Sequence, residues 1–287
     1  MNMVGYYNGK VGALDQMQIP MLDRAVYFGD GCYDATTFAN NRIFAEEEHF
    51  DRFYRGCAQL KIPFALSRQE LHDALMSVIE ANEEDHGLLY WQASRGTCLR
   101  SHPFPDAQVK PNLLAFSVPR ELTPMNSSFR LISMEDIRFF MCNTKTLNLI
   151  PNVLASEEAV SRGCQETVFY RQEFGRKRVT ECAHSNVLML KDGCLTAPPR
   201  DNLILPGITL GHLLMLAQQN GIPTQERVFT LEELAEADEI IISSCGSLCI
   251  PACELDGRPV GGKDPAALKT LQDSYTAYYR RYVGLPV

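Results

Sequence analysis

The chain has 287 residues, of which 45% are hydrophobic and 22% charged, with a net charge of −8. That balance suits a globular protein with apolar material for one large core or two modest domains. The acidic excess argues against nucleic acid or an anionic membrane as partner, because both draw on clustered Lys and Arg; local basic pockets for a small anion remain open.

In chain order, the opening MNMVGYYNGK lacks a charged segment leading into an apolar run, so no signal peptide is expected, and no later stretch has the length of a membrane span. Asn8-Gly9 and Asn40-Asn41, each between strand-like residues, predict hairpin turns. In EEEHFDRFYRGCAQLKI, Phe50, Phe53, Cys57 and Leu60 recur at spacings of three and four, which predicts a helix with one apolar face. Ser67 and Glu70 form a capping box ahead of Leu71, Ala74, Leu75, Val78 and Ile79. VPRELTP, with two prolines and two charge pairs, predicts a linker over 119–124 between a first domain of 1–118 and a second of 125–287. Asp192-Gly193 and Asp256-Gly257 predict further hairpins, and Thr230 with Glu233 a second capping box. Thr209–Asn220 reads as a helix closed by Gly221, and Asp264–Tyr282 as the last helix. Hairpins segregated from helices imply an α+β fold rather than a doubly wound parallel sheet. The ten cysteines include no CxxC pair, and Cys245, Cys249 and Cys253 are spaced by fours; reduced, buried thiols in a cytoplasmic protein are expected, with no metal site.

Five places carry candidate chemistry. Lys145 stands in FFMCNTKTLNLIPNVLA, otherwise apolar or neutral, either as a surface residue or as an amine kept partly dry for reaction. Glu181 ends the strand-like RVTE, where a surface glutamate is the ordinary expectation. Gly207 and Thr209 open a helix, either as a turn and cap or as an anion site built on unpaired amides. Arg52 is either solvated, paired with Glu48, or a two-bond clamp on a phosphate. SRGTCLRSHPFP gathers Arg95, Arg100 and His102, either as a solvated loop or as a carboxylate site.

The order of segments adds a further signal. LDRAVYFGDGCYDATTF, EEHFDRFYRG, KTLNLIPNVLASEEAVSRGCQE, VTECAHSN, LILPGITLG and DEIIISSCGSLCIP together resemble the fold-type IV aminotransferases that depend on pyridoxal phosphate. The resemblance runs from about residue 4 to the C-terminus, and the D-amino-acid aminotransferases look most similar, chiefly through SRGTCLRSHPFP. It implies a two-domain α+β fold with a small N-terminal and a larger C-terminal, cofactor-binding domain. Lys145 then matches the lysine joined to the cofactor as a Schiff base, Glu181 the partner of the pyridine nitrogen, and Arg52 the phosphate-binding arginine. Gly207, Ile208 and Thr209 match the helix start under the phosphate, with Ser244 and Cys245 beside it. Tyr33, Arg100 and His102 match the group that takes the substrate α-carboxylate, Arg100 and His102 being donated across a homodimer interface.

The chemistry accounts for these residue types. An amine attacks an aldehyde only when neutral, which burial or nearby positive charge favours, and once released it can move a proton at Cα. A carboxylate keeps the pyridine nitrogen protonated and the ring electron-poor. The sequence departs from the family pattern at Cys182, Ala183 and His184, where small hydroxyl residues are usual, at Cys245-Gly246, where a threonine pair is common, and at Asp34, where glutamate is common. The expected reaction is transamination of D-amino acids with pyruvate or 2-oxoglutarate. The alternatives are pyruvate elimination by a 4-amino-4-deoxychorismate lyase, a branched-chain L-amino-acid aminotransferase, and a non-catalytic protein on the same fold.

Overall fold

A computed structural model describes residues 3–286. The chain divides into two compact units, one holding residues up to Glu121 with Thr144–Asn148 and Arg280–Pro286, the other Leu122–Asn143 and Leu149–Tyr279.

The first unit contains β1 (Val4–Tyr7), β2 (Lys10–Ala13), α1 (Arg24–Phe28), β3 (Gly31–Ala39), β4 (Arg42–Ile43), α2 (Glu46–Gln59), α3 (Arg68–Glu80), β5 (His86–Ser94) and β6 (Asn112–Val118). Its strands form one antiparallel sheet in the order β2-β1-β6-β5-β3-β4. Both expected hairpins form: Asn8-Gly9 has φ of 48° and 90°, and Asn40-Asn41 has φ of 50° and 54°, the left-handed pair that lets a two-residue turn follow the strand twist. The apolar faces of α2 and α3 bury Phe50, Phe53, Leu71 and Leu75 with Phe38 and Trp91 of the sheet.

The second unit contains β7 (Phe129–Glu135), α4 (Ile150–Ser161), β8 (Glu166–Glu173), β9 (Arg176–Cys182), β10 (Asn186–Lys191), β11 (Cys194–Ala197), α5 (Ile208–Gln219), β12 (Thr224–Glu226), α6 (Leu231–Ala235), β13 (Glu239–Ser244), β14 (Ser247–Leu255), β15 (Arg258–Pro259) and α7 (Pro265–Tyr282). Its sheet runs β12-β11-β10-β13-β14-β7-β8-β9, with β15 on β14. The hairpins at Asp192-Gly193 and Asp256-Gly257 form as expected. The sheet is nevertheless mixed, because β7 pairs in parallel with β8 and with β14, and β11 with β12. A parallel pair needs a crossover, and α4 supplies it between β7 and β8. Val168, Val179, Val187, Phe229, Ile240 and Ile242 fill one core.

Both capping boxes are present, at Ser67–Glu70 and Thr230–Glu233. The start of α5 differs from the expected Thr209. Gly207 is its N-cap with no side-chain cap, and Thr209 is buried in the first turn. Among the described residues, no helix is long and apolar enough to cross a membrane, and no group of three or more His, Cys, Asp or Glu is placed to hold a metal ion.

Candidate active site

In the first unit, the stretch 144–148 lies along the start of β3. The Tyr33 amide donates to the Lys145 carbonyl at 2.9 Å and the Leu147 amide to the Gly31 carbonyl at 3.1 Å. Buried Thr144 donates to Gln59 at 2.9 Å, which ties the same stretch to α2. These bonds fix the backbone on either side of Lys145, leaving its side chain half-buried. Its Nζ donates to the Tyr33 hydroxyl at 3.2 Å and sits 4.2 Å from the centroid of that ring. The ring is held in turn by stacking on Tyr90, 5.3 Å away, itself stacked on Phe116. An amine on a clamped backbone against a phenol suits an attacking or proton-carrying group.

Arg52 is neither a solvated helix residue nor a simple surface ion-pair partner. It is buried, and its Nε and Nη2 donate to the two oxygens of Asp34 at 2.9 and 2.6 Å. His49, one turn earlier on α2, has Nδ1 2.8 Å from the same carboxylate. Burial alone would raise the Asp34 carboxyl, but the Arg52 charge, with the bonds from Arg52 and His49, outweighs it and holds it well below the usual range. Burial pushes His49 the other way, toward the neutral imidazole, although Asp34 opposes that. The shorter carboxylate at position 34 is therefore an anchor for Arg52 in the core.

SRGTCLRSHPFP separates into two parts. Arg95 is buried and structural: it bridges both oxygens of Asp30 at 2.8 and 2.9 Å and donates to the carbonyls of Leu60 and Lys61. Arg100 and His102 are exposed and meet at Phe28, the guanidinium carbon 4.8 Å and the imidazole centroid 5.0 Å from that ring. The structure thus pairs Tyr33 with Lys145 and groups Arg100 with His102, leaving Arg95 out of the group.

In the second unit, Glu181 is no surface glutamate, being only 5% exposed. Its carboxylate accepts from Arg138 Nη1 at 2.5 Å, from Asn186 Nδ2 at 3.1 Å and from the Leu205 amide at 3.1 Å to each oxygen. Burial raises the carboxyl to about 7, and Arg138 offsets only part of that. Arg138 cannot do more because it is shared: Nε and Nη2 each reach Asp136 at 2.9 Å. The site therefore favours a further positive donor beside Glu181.

Two residues beyond Leu205, Gly207 starts α5. A Cβ on Gly207 would lie 1.9 Å from Asn186 Oδ1, so only glycine fits under that side chain. The first bond of the helix runs from the Gly211 amide to the Gly207 carbonyl, so the amides of Ile208 and Thr209 come before the helical ladder. Ser244 ends β13 and its hydroxyl accepts from the Ser247 amide at 3.1 Å, closing a turn through Cys245 and Gly246. At the other departure, His184 is 57% exposed and lies 3.0 Å from Glu166 Oε2, while Ser185 donates to that same buried carboxylate at 2.6 Å.

Arg138, Asp136, Asn186 and Phe28 were not singled out from sequence. An Asp-x-Arg pair flanked by Ile137, Phe139 and Phe140 in MEDIRFF was a readable signal for the first two. The others are ordinary residue types whose role comes from their neighbours.

The residues present suit pyridoxal phosphate. In the second unit a buried carboxylate short of positive charge fits a protonated ring nitrogen and an uncapped glycine-led helix start fits a phosphate; the first unit, by itself, offers the Lys145 amine.

The fold is similar to that of the branched-chain amino acid aminotransferase of Escherichia coli, with a TM-score of 0.87, 21% identity and coverage of 97% of this chain and 95% of that one. It is also similar to a putative 4-amino-4-deoxychorismate lyase of Legionella pneumophila, with a TM-score of 0.81, 21% identity and coverage of 92% and 97%. In sequence, a D-alanine aminotransferase of Staphylococcus haemolyticus is 35% identical over 276 residues, 95% of this chain and 96% of that one. Residues 31–255 match the model of the amino-transferase class IV family. The chain belongs to the class IV aminotransferase family.

Proposed function

We propose that this protein is a pyridoxal-phosphate-dependent transaminase that takes the amino group of a D-amino acid and passes it to a 2-oxo acid, pyruvate or 2-oxoglutarate. The observation that carries the cofactor reading lies in one short segment. Leu205 donates to Glu181, and two residues later Gly207 opens α5. A ring-nitrogen acceptor and a helix-start anion cradle thereby adjoin one short stretch of backbone, which supports a ligand carrying both a cationic heterocycle and a phosphate.

When bound, the cofactor supplies an electron sink for the pair released from the Cα–H bond. Lys145 Nζ would hold it covalently and, once displaced by substrate, would take the proton from Cα and return it. Glu181 would hold a proton at the ring nitrogen, with Arg138 and Asn186 fixing its orientation. Ile208 and Thr209 amides, the Ser244–Cys245 turn and Arg52 are the proposed phosphate contacts. Tyr33, Arg100 and His102 would take the α-carboxylate. We place the protein in the cytoplasm as at least a homodimer, Arg100 and His102 serving the partner's cofactor.

The D-preference follows from one lysine serving one face of the cofactor. With Cα–H fixed toward Lys145, enantiomers differ by exchanging carboxylate and side chain, and the cationic side selects the one whose carboxylate lands there. A panel of D- and L-amino acids with each acceptor, beside an aminodeoxychorismate assay, tests the reading. Turnover of D-alanine supports it; turnover only of L-valine and L-leucine, or release of pyruvate from aminodeoxychorismate, overturns it.

A further inference from the structure

Phe28 ends α1, half-buried, with three cationic or titratable side chains around its ring. Arg24 and Arg100 place their guanidinium carbons 4.9 and 4.8 Å from the centroid, and the His102 ring lies 5.0 Å away at 44°. Arg100 and His102 belong to an exposed loop without regular structure, where long side chains sample many rotamers. The backbone that carries Phe28, by contrast, is tied down on both sides. Gly29, at φ 60°, closes α1 with its amide on the Ala25 carbonyl. Arg24 pairs with Asp30 at 2.7 Å and donates to the Ser101 carbonyl at 2.6 Å, while Tyr27 donates to the Cys98 carbonyl at 2.9 Å. α1 thus grips the loop backbone at 98 and 101 and offers a ring to the side chains at 100 and 102.

The contact is suited to recognition as well as to packing. Stacking occupies the face of a guanidinium and leaves its N–H edge open, and that edge is what receives a carboxylate through two parallel bonds. Beside the ring is a cavity of about 260 Å³ lined by Arg24, Phe28, Asp30, Arg95, His102 and Phe104. A smaller residue at 28 would enlarge that cavity and leave the Arg100 guanidinium without the ring it stacks on.

We propose that Phe28 is a positioning residue for substrate specificity, its ring orienting Arg100 and His102 to receive the α-carboxylate of a D-amino acid. The proposal rests on the reading above that these two side chains meet that carboxylate. Ordering side chains before binding lowers the cost of association, so loss of the ring acts on affinity for the carboxylate and leaves the proton transfer at Lys145 alone.

The experiment compares holoenzyme variants Phe28→Leu, Phe28→Tyr and Arg100→Ala in steady-state kinetics with D-alanine and 2-oxoglutarate, checking cofactor content by absorbance. Phe28→Leu should raise KM for D-alanine about tenfold, equivalent to about 1.4 kcal/mol. Its kcat should stay within about twofold. Phe28→Tyr keeps the ring and should keep the wild-type KM. In Arg100→Ala, adding Phe28→Leu should raise KM by less than it does in the wild type, because only the His102 contact is left to lose. If Phe28→Leu proves unstable, Phe28→Met serves in its place. A normal KM in Phe28→Leu beside a raised KM in Arg100→Ala overturns this proposal and leaves the functional reading standing, as does a fall in kcat at unchanged KM. A normal KM in Arg100→Ala overturns the carboxylate reading and this proposal with it.

Discussion

Replacing Glu181 by Gln removes one charge at a point where every neighbour is a donor. Arg138, the Asn186 NH2 and the Leu205 amide all donate to the carboxylate, so the new amide NH2 meets a donor in place of an acceptor unless the Asn186 amide turns to present its oxygen. Two effects follow, and they separate. In the cofactor-free protein, burial raises the Glu181 carboxyl from its ordinary 4.5 to about 7. A carboxyl raised in the folded state contributes stability that is full below the unfolded value and is lost as pH rises through the folded one. Between these limits the loss amounts to about 3 kcal/mol. The melting temperature of the cofactor-free wild type should therefore fall by several degrees, roughly 5 to 10 °C, from this group as pH rises from about 4.5 to about 7. Glu181→Gln should flatten that part of the profile. In the loaded enzyme, an amide cannot keep the ring nitrogen protonated, and loss of a charged hydrogen bond costs about 1.5–3 kcal/mol, or about ten- to a hundredfold in turnover. Stopped-flow absorbance of the D-alanine half-reaction, at matched cofactor content, measures this. A variant with wild-type turnover and an unchanged pH profile would show that Glu181 faces neither a ring nitrogen nor a charge deficit.

Arg52→Ala should destabilise the protein by about 3–5 kcal/mol, because it strands the fully buried Asp34; the double variant Asp34→Asn, Arg52→Gln should recover most of the stability while pyridoxal phosphate affinity stays about a hundredfold weaker. Matching affinities in cofactor titrations would mean that Arg52 anchors the fold only. Gly207→Ala should weaken cofactor binding at least tenfold, since its methyl meets Asn186 and shifts the start of α5, and a normal affinity would disconnect that helix start from the phosphate. Random mixing of Lys145→Ala, which lacks the amine, with Arg100→Ala, whose KM for D-alanine is raised, should restore the wild-type KM at about a quarter of all sites in the mixture if each site draws on two chains. No recovery after proven subunit exchange would place both residues in one chain's site.

What could be read in the sequence was mostly local. Asn-Gly and Asp-Gly turns, capping boxes and the apolar face of α2 are set by residues within a few positions of one another, and all took the expected form. α4 has no side-chain cap at Leu149 and buries only Ala155 and Ala159, so it lacks the polar cap and the broad apolar face that marked the other helices, and the proline in its first turn was the one local sign of it. Parallel pairing of β7 with β8 and β14 depends on strands far apart in sequence and leaves no local mark. At the site, motif order marked Lys145 and Glu181, while the partners came only from the structure. Asp34 holds Arg52, Arg138 is divided between Asp136 and Glu181, and Phe28 gathers Arg100 and His102. A proline-rich linker shows where a segment stops. It carries no information about the later return of residues 144–148 to β3, which places Lys145 against Tyr33.

The most direct test of the account is borohydride reduction of the holoenzyme followed by peptide mass spectrometry, with and without prior addition of D-alanine and no acceptor. The account predicts the cofactor mass on the peptide carrying Lys145, its loss after D-alanine, and its persistence after L-leucine or L-valine. Cofactor on any other lysine, or protection by the L-amino acids with none by D-alanine, would contradict it.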